Sequence, residues 1–157
     1  MELSVTTLLD APTERVWDEV QKPALLEHVA YPLLTFTPVD GADLPDRFDD
    51  GDEIQVELKL FGVVPMGTQW IRVSIPETRQ TPGAQLYRIR DDGSGQIVST
   101  WDHLITIRET PDGKTVYTDE VEIDAGVLTL FVWLFSNVFY RYRQARWRRL
   151  VDDGFEY

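Results

Sequence analysis

The middle of the chain alternates apolar and polar positions with a period of two. Ile54, Val56, Leu58 and Leu60 interleave with Glu53, Gln55, Glu57 and Lys59. This is the pattern of a strand with one buried face. Ile71, Val73 and Ile75 interleave with Trp70, Arg72 and Ser74 in the same way. Leu86 to Arg90 reads as a further strand, closed by a turn at Asp91-Asp92-Gly93-Ser94-Gly95. Gly62 to Gly67 reads as a turn and Pro76 to Gly83 as a connection.

Ile97 to Arg108 and Thr115 to Asp124 predict a hairpin. Thr110-Pro111-Asp112-Gly113-Lys114 between them suits a three-residue loop, with Pro at the first turn position and Gly at the left-handed one. Pairing Thr110 with Lys114 sets Ile107 opposite Tyr117, Ile105 opposite Asp119, His103 opposite Val121 and Trp101 opposite Ile123. A two-residue Asp112-Gly113 loop would set Ile105 opposite Glu120 and put charge on the buried side. Side-chain alternation favours the first register.

The start of the chain changes period. Glu2 to Leu9 reads as a strand. Asp10-Ala11-Pro12-Thr13-Glu14 then reads as a helix start, with a polar residue before the helix and Pro in its first turn. Val16, Trp17 and Val20 form a short apolar face. A second short helix fits Pro23 to Val29, and Pro32 discourages its continuation. Leu33 to Val39 fits a strand, and Asp40 to Asp52 an acidic loop.

Ala125 to Val151 predicts one long helix, nearly all apolar at its start and rich in Arg at its end. On a helical wheel Val127, Phe131, Leu134, Phe135, Val138 and Tyr142 share a broad face, widened by Leu128 and Phe139. That face is expected to cover the sheet and roof a cavity. Trp133, Tyr140 and Trp147 form a second stripe on the opposite side. It can pack under the N-terminal helices, or serve as a contact stripe for a second copy of the chain or a membrane surface. The apolar run from Val127 to Val138 is interrupted by Thr129, Ser136 and Asn137, and is too short for a membrane span.

The 157 residues suit one domain, residues 1–157, long enough to bury a core without staples. The net charge of −12 repels nucleic acid over most of the surface and opposes anionic lipid. Arg141, Arg143, Arg146, Arg148 and Arg149 gather at the end of the last helix. There they complement its dipole, or touch an anion locally. With no cysteine, disulfides, thiolate nucleophiles and Cys-ligated zinc are excluded. No apolar run precedes Arg15, so no secretory signal is visible and a cytoplasmic location is expected.

The hairpin register makes His103 and Asp119 diagonal neighbours on the inner face, flanked by Trp101 and Tyr117. Such a patch on an apolar wall can orient a ligand's polar group. An Asp can also fix the imidazole tautomer for acid–base work. No nucleophile motif or metal set accompanies the pair, and mutual satisfaction inside a core is the plainer role. His28, the other histidine, reads as a surface or packing residue, and two histidines without metal spacing make no zinc site. Asp46, Asp50, Gly51 and Glu57 fall on a calcium-loop template. Phe48 occupies a ligand position of that template, and Glu57 belongs to a strand, so a solvated loop is the better reading. No phosphate loop or Ser nucleophile motif is present.

The order strand, two short helices, six strands and long helix resembles the SRPBCC superfamily. This is the helix-grip fold of START lipid-transfer domains, polyketide cyclase-like proteins and the birch-pollen allergen group. The resemblance covers nearly the whole chain. It rests on Asp10-Ala11-Pro12 through Val16-Trp17, Gly62 with Trp70, and Trp101-Asp102-His103. Thr118-Asp119-Glu120-Val121 and Phe139-Tyr140-Arg141-Tyr142-Arg143 complete it. The pattern is most similar to a bacterial uncharacterised branch near the cyclase-like and ubiquinone-binding-like members. Many related sequences carry a second His after the Trp-x-His run; here that position holds Ile105.

The resemblance implies an α+β helix-grip fold, a curved antiparallel sheet of about seven strands wrapped around the C-terminal helix. It also implies a cavity for an apolar or aromatic small molecule. Leu58, Leu60, Trp101, Ile105, Tyr117, Phe131 and Phe135 are the expected lining, with His103 and Asp119 orienting a polar group. The expected function is non-enzymatic binding or transport of a lipid, isoprenoid or polyketide-like ligand, without cofactor or metal. A cyclase- or dehydratase-type enzyme using His103 and Asp119 is the alternative, and an interaction module using the Trp133, Tyr140 and Trp147 stripe is a third.

Overall fold

The computed structural model describes residues 1–41, 43–76, 79–81 and 84–157. Strand β1 (Glu2–Leu9) is followed by helices α1 (Thr13–Val20) and α2 (Pro23–Ala30). Seven strands follow: β2 (Leu34–Pro38), β3 (Glu53–Leu60), β4 (Val64–Ser74), β5 (Arg79–Thr81), β6 (Ala84–Gly95), β7 (Thr100–Glu109) and β8 (Thr115–Asp124). A single 3-10 turn at Gly126–Leu128 leads into α3 (Thr129–Asp152). The sheet order is β1-β8-β7-β6-β4-β3-β2, all antiparallel, with the short β5 paired to β6. The result is a curved, open sheet gripping one long helix, the α+β helix-grip architecture.

The β7–β8 hairpin has the register that alternation favours. Thr110 N–H donates to Lys114 O at 2.8 Å, and Ile107 faces Tyr117, Ile105 faces Asp119 and His103 faces Val121. The Asp91-Asp92-Gly93-Ser94-Gly95 run is not a turn. It is the last part of β6, paired with β7 through Gly93↔Trp101 and with β4 through Gly95↔Gln69. Its glycines serve close packing: a Cβ on Gly95 would stand 2.5 Å from Thr68 O, and one on Gly93 2.9 Å from Trp70 O. Three strands converge there, and side chains would hold them apart. The connection expected at Pro76 to Gly83 contains β5; residues 77–78 and 82–83 lie outside the described ones.

The helix start is one residue tighter than expected. Pro12 is itself the residue before α1, and its carbonyl accepts from Arg15 and Val16 N–H at 3.0 and 3.1 Å, without a side-chain cap. In the acidic loop Phe48 is buried, Asp50 Oδ1 accepts from Ile75 N–H at 2.7 Å, and Asp52 Oδ2 accepts from Asp49 N–H at 2.8 Å. These carboxylates tie the loop to the end of β4 and to itself.

The core has two parts. Under α1, α2 and the end of α3, Leu9, Val16, Leu25, Val29, Ile107, Tyr117, Trp147 and Leu150 pack without a gap. Under the middle of α3, Leu3, Val98, Val121, Ile123, Phe139 and Tyr140 form the second cluster. Each fully buried Ile, such as Ile107 or Ile123, stabilises the fold by roughly 1.5–3 kcal/mol through the surface it removes from water. Between α3 and the β3–β4 half of the sheet the packing opens.

Candidate functional site

That opening is a cavity of about 330 Å³. This lies at the small end of the roughly 300–1,000 Å³ range of ligand pockets. β3 contributes Leu58 and Leu60, and β4 Met66 and Ile71. Ile97, Val98, Trp101 and His103 come from β7 and the loop before it, and Phe131, Val132, Phe135, Phe139 and Tyr140 from α3. The period-two alternation of β3 explains its share. Leu58 and Leu60 stand two residues apart and both border the cavity.

The polar cluster at one wall is built from β6, β7, β8 and α3. His103 Nε2 lies 2.8 Å from Asp119 Oδ1, and both side chains are buried. The Tyr117 hydroxyl donates to the same oxygen at 3.1 Å, and Gln144 Nε2 donates to Asp119 Oδ2 at 2.9 Å. Gln144 also donates to Val5 O at 2.6 Å, which ties α3 to β1. Behind them Arg143 Nη2 donates to the Tyr117 hydroxyl at 3.3 Å and stands 4.0 Å from Asp119.

Burial alone would raise the Asp119 pKa. The Arg143 charge and the bonds from His103 and Gln144 outweigh it and hold the carboxyl below the usual range. Asp119 is therefore an acceptor on both oxygens. Burial lowers the His103 pKa despite the bond to Asp119. The imidazole is neutral near pH 7, and facing an ionised carboxylate it must carry its proton on Nε2. Nδ1 is left as a base, with no acceptor or donor partner among the described residues.

Two further groups on this wall were not among the expected site residues. Asp91 lines the cavity, and burial pushes its carboxyl up to about 7, although its Oδ1 accepts from Arg72 N–H at 2.8 Å. The same alternation that buries Tyr87 and Ile89 carries Asp91 inward, a signal hidden when Asp91-Asp92-Gly93 is taken for a turn. Arg143 also lines the cavity, and is only 5% exposed. It belongs to a 4–3 series, Ser136, Tyr140, Arg143, Trp147 and Leu150, all buried.

That series corrects the expected orientation of α3. The stripe proposed as a contact surface faces inward: Tyr140 is 1% and Trp147 0% exposed. Trp133 is half-buried, and its Nε1 donates to Glu2 O at 2.7 Å. Trp147 packs on Tyr117 and Phe155, and Tyr140 on His103, with ring centroids 5.0 Å apart in the last pair. The face expected to cover the sheet lies outside instead, with Val127, Phe131, Leu134 and Val138 exposed. Of that set Phe131 and Phe135 reach the cavity, and Phe139, at the edge of the expected face, is buried and also borders it.

Of the expected lining, Leu58, Leu60, Trp101, His103, Phe131 and Phe135 border the cavity. Ile105, Tyr117 and Asp119 do not. Ile105 and Tyr117 sit in the packed core, and Asp119 lies behind His103 with no exposure. One alternation step along β7 separates His103 from Ile105, and Ile105 belongs to the buried cluster that holds Trp147 and Leu150 of α3. The terminal arginines divide: Arg143 turns inward, Arg146 binds His28 O at 2.9 Å, and Arg148 binds Thr7 Oγ1 at 2.8 Å. His28 packs edge-on against Tyr157. Among the described residues no group of three metal-binding side chains occurs, and no helix is long and apolar enough to cross a membrane.

A family model described as a domain of unknown function, DUF8410, matches residues 7–151. The chain belongs to the DUF8410 family. No curated protein matches this DUF8410 chain. Solved structures with the same fold include a protein from Chromobacterium violaceum, 17% identical, covering 96% of both chains with a TM-score of 0.63. A solution structure from Arthrobacter aurescens is 14% identical over 97% of this chain and 86% of that one, with a TM-score of 0.64. DynU16, from the dynemicin biosynthetic locus, is 16% identical, with a TM-score of 0.52; 98% of the DUF8410 chain aligns with 48% of it. These likenesses concern the fold.

Proposed function

We propose that this protein binds a hydrophobic small molecule, a lipid, isoprenoid or polyketide-like compound, between its sheet and α3. The observation that carries the reading is the cavity itself. Apolar side chains from β3, β4, β7 and α3 surround about 330 Å³, and a polar cluster centred on the His103–Asp119 pair stands at one wall. A core optimised only for stability would fill that volume, because unfilled space is destabilising. The order of the elements also supports a place in the SRPBCC superfamily, and the likeness to DynU16 is compatible with a biosynthetic setting. The location we assign is the cytoplasm.

Native mass spectrometry of protein purified from its own host, followed by organic extraction, tests the reading. A stoichiometric apolar compound is the expected result. A clean apo mass that persists after incubation with lipid and polyketide mixtures would sink it.

A second reading is favoured by one feature, the anchored His103. Its Nε2–H is held by Asp119 and its Nδ1 is left free beside the cavity, the geometry of a positioned base. In a cyclase- or dehydratase-type reaction Nδ1 would take a proton from carbon next to a carbonyl and return it to the leaving oxygen. His103→Ala should then lower turnover of the extracted compound by about 100-fold or more. Unchanged turnover in a folded variant would leave the binding role alone.

A further inference from the structure

Arg143 is a buried cation with most of its hydrogen-bonding capacity unused. Guanidinium carries five N–H donors. Among the described residues, one is taken: Nη2 donates to the Tyr117 hydroxyl, itself a long bond at 3.3 Å. Nε is buried and has no acceptor. Asp119 does not accept from Arg143; at 4.0 Å it balances the charge while spending its oxygens on His103, Tyr117 and Gln144. The aromatic face of Tyr140 lies 5.5 Å from the guanidinium and offers no oxygen lone pair in that contact. Yet Arg143 borders the cavity. A buried cation with open donors at a cavity wall calls for an acceptor from inside the cavity.

We infer that the cavity is built for an amphipathic organic acid, its apolar body against Leu58, Leu60, Trp101 and Phe135 and its carboxylate against the free donors of Arg143. The inference rests on the ligand-binding reading and narrows the ligand's class. The other polar groups on the wall fit it. Asp91 comes from β6, opposite His103 on β7. Held largely protonated below about pH 7, it offers an O–H to the same carboxylate instead of repelling it. The groups that act on Asp91 are Arg72 from β4, Asp92 beside it, and Arg143 and Tyr140 from α3. His103 is neutral and adds no repulsion. Above pH 7 the ionised Asp91 opposes an incoming anion, so affinity for the acid falls as pH rises.

Calorimetric titration with two matched pairs tests this: decanoate against 1-decanol, and 2-naphthoate against 2-naphthalenemethanol. At pH 6 the carboxylate of at least one pair should bind about 10- to 100-fold tighter than its alcohol, the size expected of a hydrogen bond to a charged group. Arg143→Met should abolish that preference while leaving the alcohol bound, which also shows that the cavity has folded. Asp91→Asn should remove the loss of carboxylate affinity between pH 6 and 8. Equal affinity for acid and alcohol in the wild type would overturn the inference and leave the hydrophobic cavity standing. A preference that survives in folded Arg143→Met would overturn the role of Arg143. Silence from all four compounds would sink both this inference and the ligand-binding reading for ligands of this size. If Arg143→Met does not fold, the wild-type preference and its pH dependence decide alone.

Discussion

The two halves of α3 invert the usual relation between composition and burial. The first half is almost wholly apolar, yet Leu130, Phe131, Leu134 and Val138 are each more than half exposed. The second half is crowded with arginine, yet Arg143, Gln144, Trp147 and Leu150 are all buried. The second half packs on β1 and β8 beside α2, while the first half borders the cavity. Burial here follows position along the sheet and the 4–3 spacing of the helix. Average hydropathy does not set it.

The largest test of that contrast is Trp147→Ala, which removes a wholly buried indole from the core. A loss of about 3–5 kcal/mol is expected in urea unfolding. Asp119→Ala should cost a similar amount, about 3–5 kcal/mol, because it strands Arg143 without its counter-charge and leaves His103, Tyr117 and one N–H of Gln144 without an acceptor. The Asp119 contribution also has a pH signature. Its folded pKa is lowered, so the stabilisation is present above the unfolded carboxyl's range and is lost as pH falls through the folded value.

Asp91 should behave in the opposite sense. Its folded pKa is raised to about 7, so its contribution is full below the unfolded carboxyl's range and fades as pH rises through about 7. Asp91→Asn should flatten that fall and add roughly 1–3 kcal/mol at pH 8 relative to the parent chain. Melting curves at pH 6 and 8 for both proteins would show it; parallel curves would mean that Asp91 is ionised throughout. The smallest effect belongs to the exposed half of the helix. Leu134→Ala and Val138→Ala should change stability by no more than about 0.5 kcal/mol. A loss of several kcal/mol from either would mean that this ridge is covered in solution.

Alternation along β3, β7 and β8 and the Thr110–Lys114 turn made the sheet face and the hairpin register legible. With them came the meeting of His103 and Asp119, because a register is a local property of two adjacent strands. The phase of α3 was not legible. From Val127 to Phe139 nearly every side chain is apolar, so the broad face that a wheel draws there is hardly more apolar than the face opposite. Long-range partners decide it instead: Tyr117 for Arg143, Asp119 and Val5 for Gln144, and Glu2 for Trp133. Asp91 was missed for a related reason. Asp-Asp-Gly is turn-like in isolation, and only the strands on either side of β6 make it extended.

The pairing of β1 with β8 has a consequence for the order in which this protein is made. β1 leaves the ribosome before the other strands of its sheet, and among the described residues its only strand partner is β8, with Leu9 opposite Thr115 and Glu2 opposite Glu122. At about 5–20 residues per second, synthesis of the stretch between them takes roughly 5–20 s. Throughout that interval an apolar, unpaired strand edge is available to chaperones and to other nascent chains. The helix that pins Val5 and Glu2 arrives later still, after β8.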